Sequence, residues 1–220
     1  MKKIIKIEKN YDVACRQCPR LASFLDEVKS QYPAYFCRPV PPFGDTAPSL
    51  FIVGLAPGMH GANATGRPFT GDHAGILLYE TLHKFGYATQ PQSVSVDDGL
   101  TLAGCRISNA VKCLPPGNKP TPDEIKTCNH FLAHELNALP TATRILALGG
   151  IAHNAVLMAF GLKSSTAKFG HAARHTLASG HTLFDSYHCS RYNTNTKRLT
   201  EASFQAVFAM IQQDTKLNAK

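Results

Sequence analysis

Four short, largely apolar runs, at residues 49–55, 105–111, 144–148 and 182–187, constrain the fold of this chain more than any other feature. Each is bounded by Gly, Pro or polar residues, and each is too short for a helix but long enough for a strand covered on both faces. Helix-like stretches alternate with them. Residues 74–85 bring Ile76, Leu77, Tyr79, Leu82 and Phe85 near one face, and Pro122 opens a stretch carrying Ile125, Phe131, Leu132, Leu136 and Leu139. Residues 151–160 follow Gly149-Gly150, and residues 200–211 begin with Thr200, Glu201 and Ser203 before Phe204, Val207, Phe208 and Ile211. Strand followed by helix, four times over, predicts an α/β chain: a three-layer α/β/α sandwich around a central, mainly parallel four-stranded sheet. In such sheets ligands sit beyond the carboxyl ends of the strands, so the functional residues are expected just after each apolar run.

The 220 residues fit a single domain spanning 1–220, and with 44% hydrophobic against 17% charged residues they hold enough apolar material for a core, which excludes intrinsic disorder. A net charge of +8 favours a polyanionic partner, either nucleic acid or an acidic membrane surface. The opening MKKIIKIEKN has too short an apolar run for a secretory leader, and no window approaches the roughly 20 apolar residues of a membrane span. A soluble, cytoplasmic protein is expected, with no membrane partner. Seven cysteines cannot all pair, and in a reducing compartment disulfides are not expected.

Four places hold the candidate chemistry. The glycine-rich loop GLAPGMHGANATGRPFTGD, residues 54–72, suits close backbone approach to an anion or a flat ring, yet matches neither a Walker A loop nor the GxGxxG order. Cys15 and Cys18 form CxxC, while Cys113 and Cys128 are the second, wider pair; four thiolates around one centre suit either zinc or a cuboidal iron-sulfur cluster. Asn109 ends the second run and offers a paired donor and acceptor that can match the amide edge of a nucleobase. After the fourth run, His188 can donate to developing negative charge, and Arg191, Lys197 and Arg198 can meet phosphates.

Together these segments resemble the uracil-DNA glycosylases of the iron-sulfur-containing microbial branch, specifically the type B group or family 5. GLAPGMHGANATGRPFTGD is similar to that family's first motif, SNAVKCLPPGNKPTPDE to the stretch with its base-reading Asn, and HCSRYNTNTKRLT to its last motif. The resemblance implies a repair enzyme that flips uracil, or another deaminated base such as hypoxanthine or xanthine, out of DNA and hydrolyses its N-glycosidic bond. It implies a 4Fe-4S cluster on Cys15, Cys18, Cys113 and Cys128. It further implies that Phe69 stacks on the base, Asn109 reads its edge, and Gly54, Leu55, Ala56 and Gly58 line the pocket. His188 then donates to the departing base, Asp72 holds the water, and Ser190, Arg191 and Asn193 contact DNA, with Arg191 a candidate wedge. Two residues depart from the pattern: Ala64, where the family usually has Arg, and Lys197, where it commonly has Gly. Uracil-containing DNA is the expected partner of a monomeric enzyme, and a non-catalytic metal-bearing nucleic-acid-binding module is the alternative.

Overall fold

The structure, a computed structural model, describes residues 11–217; the basic opening segment, residues 1–10, lies outside the described residues. Four parallel strands form its centre: β2 (Leu50–Gly54), β3 (Cys105–Asn109), β4 (Arg144–Leu148) and β6 (Thr182–Ser186). They coincide with the four apolar runs, and every residue in them is buried. The sheet has six strands rather than four, because β1 (Phe43–Gly44) and β5 (Arg174–Thr176) add antiparallel edges in the order β1-β3-β2-β4-β6-β5. Two and three residues, one strand containing glycine and the other largely exposed, leave no apolar run in the sequence. Such short edges also offer little unpaired backbone to another chain.

Alternation along the inner strands feeds a core on each face of the sheet. Leu50, Ile52, Ile107, Leu146 and Phe184 meet Leu78 and Leu82 of α3 (His73–Lys84) and Phe204, Phe208 and Ile211 of α7 (Glu201–Leu217). Phe51, Val53, Ile145, Ala147 and Leu183 meet Leu132 and Leu136 of α4 (Pro122–Asn137) and Ala152 and Val156 of α5 (Gly150–Ala159). Three layers result, as the alternation predicts. A capping box starts α4: Thr121 Oγ1 accepts from the Glu124 N–H, and the Thr121 N–H donates to Glu124 Oε2 at 2.8 Å. Among the longer helices, one is missing from the sequence-based expectation. In α1 (Pro19–Gln31), Leu21, Leu25 and Val28 are buried, but charged residues interleave with them and break the apolar signal.

The chain crosses from β2 to β3 on one side and then to β4 on the other, so the carboxyl end of β2 is a switch point in strand order. That is where a crevice opens.

A buried ion pair braces β6 against α5. Asp185 Oδ1 lies 2.8 Å from His153 Nδ1, whose Nε2 lies 3.0 Å from the Ala167 carbonyl, while Asp185 Oδ2 meets His175 Nε2 at 3.1 Å. Both His153 nitrogens face acceptors, which only a doubly protonated ring can satisfy. Burial pulls the His153 pKa down, but the Asp185 carboxylate and the Ala167 carbonyl outweigh it and hold the group above its ordinary 6.5. The pair therefore stabilises the fold fully below about pH 6.5 and loses its contribution as pH rises through the folded-state value. Thermal unfolding of His153→Gln is expected to show its largest deficit against the parent below pH 6.5, shrinking in alkali. A deficit that grows with pH would contradict the assignment.

Candidate active site

Loops leaving the carboxyl ends of β2, β3 and β6 enclose a cavity of about 420 Å³ lined by Leu55, Ala56, Gly58, Phe69, Asp72, Asn109 and His188. This lies within the roughly 300–1,000 Å³ common to small-molecule sites. Gly54, placed in the pocket lining by the sequence, instead lies beneath it: a Cβ there would overlap Asn109 Oδ1 and come within 2.7 Å of the Phe69 ring. Only glycine lets both side chains settle over the strand end.

Each pocket side chain has a physical peculiarity. Asn109 is 3% exposed, and its Oδ1 is one of three buried side-chain polar atoms without a hydrogen-bond partner among the described residues. An acceptor left dry and unpaired costs roughly 1–3 kcal/mol, which a ligand N–H would recover. Phe69 adopts the left-handed region at φ 55, costly for a bulky residue by about 1–3 kcal/mol. Its ring centroid lies 6.0 Å from that of His188, tilted by 31°. Gly75 opens the space behind, since a Cβ there would overlap the Phe69 carbonyl. Burial pushes the His188 pKa down to about 4, so its imidazole is neutral at ordinary pH and presents one N–H. Asp72 caps α3, its Oδ1 accepting from the Gly75 N–H at 2.9 Å. Burial nonetheless raises its pKa above the usual carboxylate value, despite the Gly75 and Ala74 N–H groups. Gly58 and Gly61 leave room for Asp72 Oδ2, which a Cβ at Gly61 would approach to 2.6 Å.

The four cysteines of the two pairs converge. Cys15, Cys18, Cys113 and Cys128 line one cavity with Leu21, Val111 and Phe131, bringing the segment before α1 against the loop after β3 and the middle of α4. Burial and mutual repulsion push the Cys18 thiol up to about 11 and Cys113 up to about 12, and Cys128 is raised as well. Deprotonation of such a set needs a cationic centre to offset it. Beside them the Lys112 N–H donates to Cys128 Sγ at 3.3 Å, and buried Lys112 Nζ donates to Glu135 Oε1 at 2.8 Å. The remaining Cys37, Cys105 and Cys189 are buried. Cys105 lies within a strand, as its sequence context suggests.

The family model of the uracil DNA glycosylase superfamily matches residues 41–212. The chain is 47% identical over 199 residues to a type-5 uracil-DNA glycosylase of Thermus thermophilus, covering 88% of this chain and 90% of that one. It is 41% identical over 207 residues to a type-5 uracil-DNA glycosylase of Pyrobaculum aerophilum, covering 92% and 89%. A type-4 uracil-DNA glycosylase of Archaeoglobus fulgidus is 31% identical over 155 residues, covering 70% and 64%. This chain belongs to the uracil DNA glycosylase superfamily.

In this superfamily member the segment after His188 is not an open loop but a short helix, α6 (Arg191–Asn195). Of the three residues expected to contact DNA, Ser190 is the N-cap, accepting from the Asn193 N–H, and Asn193 Nδ2 donates to the His188 carbonyl at 2.8 Å. Both therefore hold His188 in place. Arg191 lines the cavity, is exposed, and is followed by Tyr192, 71% exposed. Arg198 lies over the Tyr187 ring at 4.3 Å, and Lys197 sits at φ 57, the left-handed region that favours the glycine its relatives were expected to carry there. The 54–72 loop likewise holds a short helix, α2 (Ala62–Thr65).

The sequence motifs assign no role to several further residues at the site. Asn118 and His73 line the cavity, the latter tied to Thr194 Oγ1 at 3.0 Å, and the exposed Tyr192 follows Arg191 of the lining. Only Tyr192 carried a signal, as an aromatic in a polar basic stretch. No helix among the described residues is long and apolar enough to cross a membrane.

Proposed function

We propose that this protein flips uracil out of DNA, encloses it in the cavity at the ends of β2, β3 and β6, and hydrolyses its N-glycosidic bond, opening base excision repair. The observation that carries this reading is the unpaired, buried Oδ1 of Asn109 beside the Phe69 ring and the neutral His188. Deamination replaces a ring N acceptor and an amine by an N–H and a carbonyl. Oδ1 of Asn109 accepts that N–H, and its Nδ2 donates to the neighbouring carbonyl. Cytosine and adenine present the reverse pattern and leave Oδ1 unpaired. Hypoxanthine and xanthine share the N–H and carbonyl edge and fall in the same substrate class; thymine and guanine carry that edge too, so the shape of the pocket and not the Asn109 pair must turn them away.

A base inside a stacked duplex is out of reach, so the nucleotide is extruded at a cost of about a few kcal/mol. Phe69 stacks on the flipped base, and Arg191, supported by its exposure at the cavity rim beside the exposed Tyr192, acts as the wedge that fills the gap. As the bond breaks, its electron pair leaves with the base and positive charge grows on the sugar. His188 donates its N–H to the base oxygen that gathers the negative charge. Asp72, ionised, holds the water that adds to the sugar carbon and takes its proton. Basic residues near the pocket meet the phosphates.

Cys15, Cys18, Cys113 and Cys128 would hold a 4Fe-4S cluster. Four cysteine thiolates gathered on one cavity are the full ligand set of such a cluster, and the resemblance of the surrounding motifs to the iron-sulfur-containing glycosylases favours it over zinc. The cluster would supply a structural cross-link, because hydrolysis moves no electrons. Purified protein is expected to be brown, with about four iron and four sulfide per chain; colourless protein with stoichiometric zinc would contradict this.

Incubating the protein with single- and double-stranded uracil-containing DNA and cleaving abasic sites with alkali tests the activity. Strand cleavage at uracil is expected. Tight binding without cleavage would favour a non-catalytic module.

A further inference from the structure

We propose that Arg67 and Asp98 form a buried clamp that fixes Phe69 at the height at which it stacks on the flipped base, making Asp98, on a separate loop outside the cavity, a positioning residue for the reaction. The inference rests on Phe69 being the stacking platform.

The left-handed backbone at Phe69 persists only where its neighbours hold it. Arg67 Nη2 donates to Asp98 Oδ2 at 2.6 Å, to Ser93 Oγ at 2.7 Å and to the Ser95 carbonyl, while its Nε donates to Thr70 Oγ1 at 2.9 Å. Thr70 Oγ1 lies 2.6 Å from Ser93 Oγ, and the Gly71 N–H donates to the Ser93 carbonyl at 3.2 Å. From below, the Tyr79 hydroxyl donates to the Pro68 carbonyl at 2.7 Å. Every residue flanking Phe69 therefore has a fixed partner, and for three of the four that partner lies in residues 93–98.

Asp98 is the node of that loop. It accepts from the N–H groups of Val94 at 2.9 Å, Ser95 at 3.3 Å and Leu100 at 3.0 Å as well as from Arg67. The Arg67 and Asp98 side chains are only 5% and 6% exposed, and the guanidinium lies over the Phe43 ring at 4.9 Å. A shielded, charge-assisted, multiply bonded pair is stiff in a way a surface pair is not. It brackets the one strained aromatic in the cavity wall. Neutralising Asp98 frees the 93–98 loop and leaves the Arg67 charge unpaired, so the segment around residue 69 can relax toward ordinary backbone and lower its ring.

Single-turnover kinetics on uracil-containing duplex, with enzyme concentration varied, test this with Phe69→Ala, Asp98→Asn and the double variant. Phe69→Ala is expected to raise the half-saturating concentration roughly 10- to 100-fold, the scale of one base–aromatic stack. Asp98→Asn is expected to raise it about 5- to 30-fold in the parent but less than about 2-fold on top of Phe69→Ala, because its effect passes through that ring. Binding to duplex with an abasic-site analogue, which has no base to stack, should change less than about 2-fold. Multiplying penalties in the double variant, or an equal loss of abasic-site binding, would overturn the clamp. Parent-like kinetics for Phe69→Ala itself would overturn the stacking reading, and the clamp with it. Should Asp98→Asn fail to fold, Ser93→Ala removes the hydroxyl shared by Arg67 and Thr70 while keeping the ion pair. The same loss of effect in the Phe69→Ala background is expected, and additivity there would equally overturn the proposal.

Discussion

His188→Ala is expected to slow single-turnover release of uracil by roughly 100- to 1,000-fold while leaving affinity for the DNA within a few-fold. The imidazole is neutral because burial holds its pKa near 4, so it acts as a preorganised N–H donor rather than as a cation. In the proposed mechanism its work is confined to the moment when charge gathers on the departing base, and removing it should therefore lower the limiting rate far more than binding. Two features position it. Asn193 Nδ2 holds the His188 carbonyl, and Gly149, at a positive φ that favours glycine, turns the chain after β4 beside the His188 Cβ. A rate inflection near pH 6.5 that vanishes in His188→Ala would mean that the charged ring is the working form, contrary to this account.

Asp72→Asn is expected to cost activity on a similar scale, roughly 100-fold or more, without costing stability. Asparagine caps a helix about as well as aspartate, so the bond to the Gly75 N–H survives. The replacement also removes a charge that burial disfavours. Because the folded-state pKa of Asp72 is raised, the native fold binds its proton more tightly than the unfolded chain does. Stability is thus lost as pH climbs through that value, and Asp72→Asn abolishes this loss. At neutral pH the variant should melt at or above the parent temperature, whereas Asp72→Ala should lose about 1 kcal/mol with its cap. Activity runs the other way. In the proposed mechanism the carboxylate that holds the water must be ionised, so the parent rate should rise with pH through the raised pKa, and the variant should be flat there. A variant of unchanged rate would remove Asp72 from the mechanism.

Much of the fold is legible in the sequence because the inner strands are buried on both faces and the helices carry one apolar stripe each. The edges are not, since Phe43-Gly44 and Arg174–Thr176 are only two and three residues long and carry no apolar run. Helix α1 escapes for a different reason: its four buried residues are diluted by charges that face water. At the site, the residue types of Asn109, His188, Phe69 and Asp72 are visible as motif positions, and the structure brings all four to one cavity. Their peculiarities are not visible, because the orphaned Oδ1, the left-handed Phe69 and the depressed His188 pKa arise from burial and neighbours distant in sequence. The same holds for Ser190 and Asn193. As polar residues in a basic stretch they suggest phosphate contacts, yet they fold the stretch into α6 and support His188. Arg67 and Asp98 lie 31 positions apart, and no spacing rule joins them.

The central claim is that an Asn109-centred pocket hydrolyses the base–sugar bond, and counting both products of one reaction tests it most directly. With uracil-containing duplex, free uracil and alkali-labile abasic sites should appear in equal amounts, at a rate that Asn109→Ala lowers sharply. DNA that is bound but yields no free uracil, or an Asn109→Ala variant that releases it at the parent rate, would contradict the account.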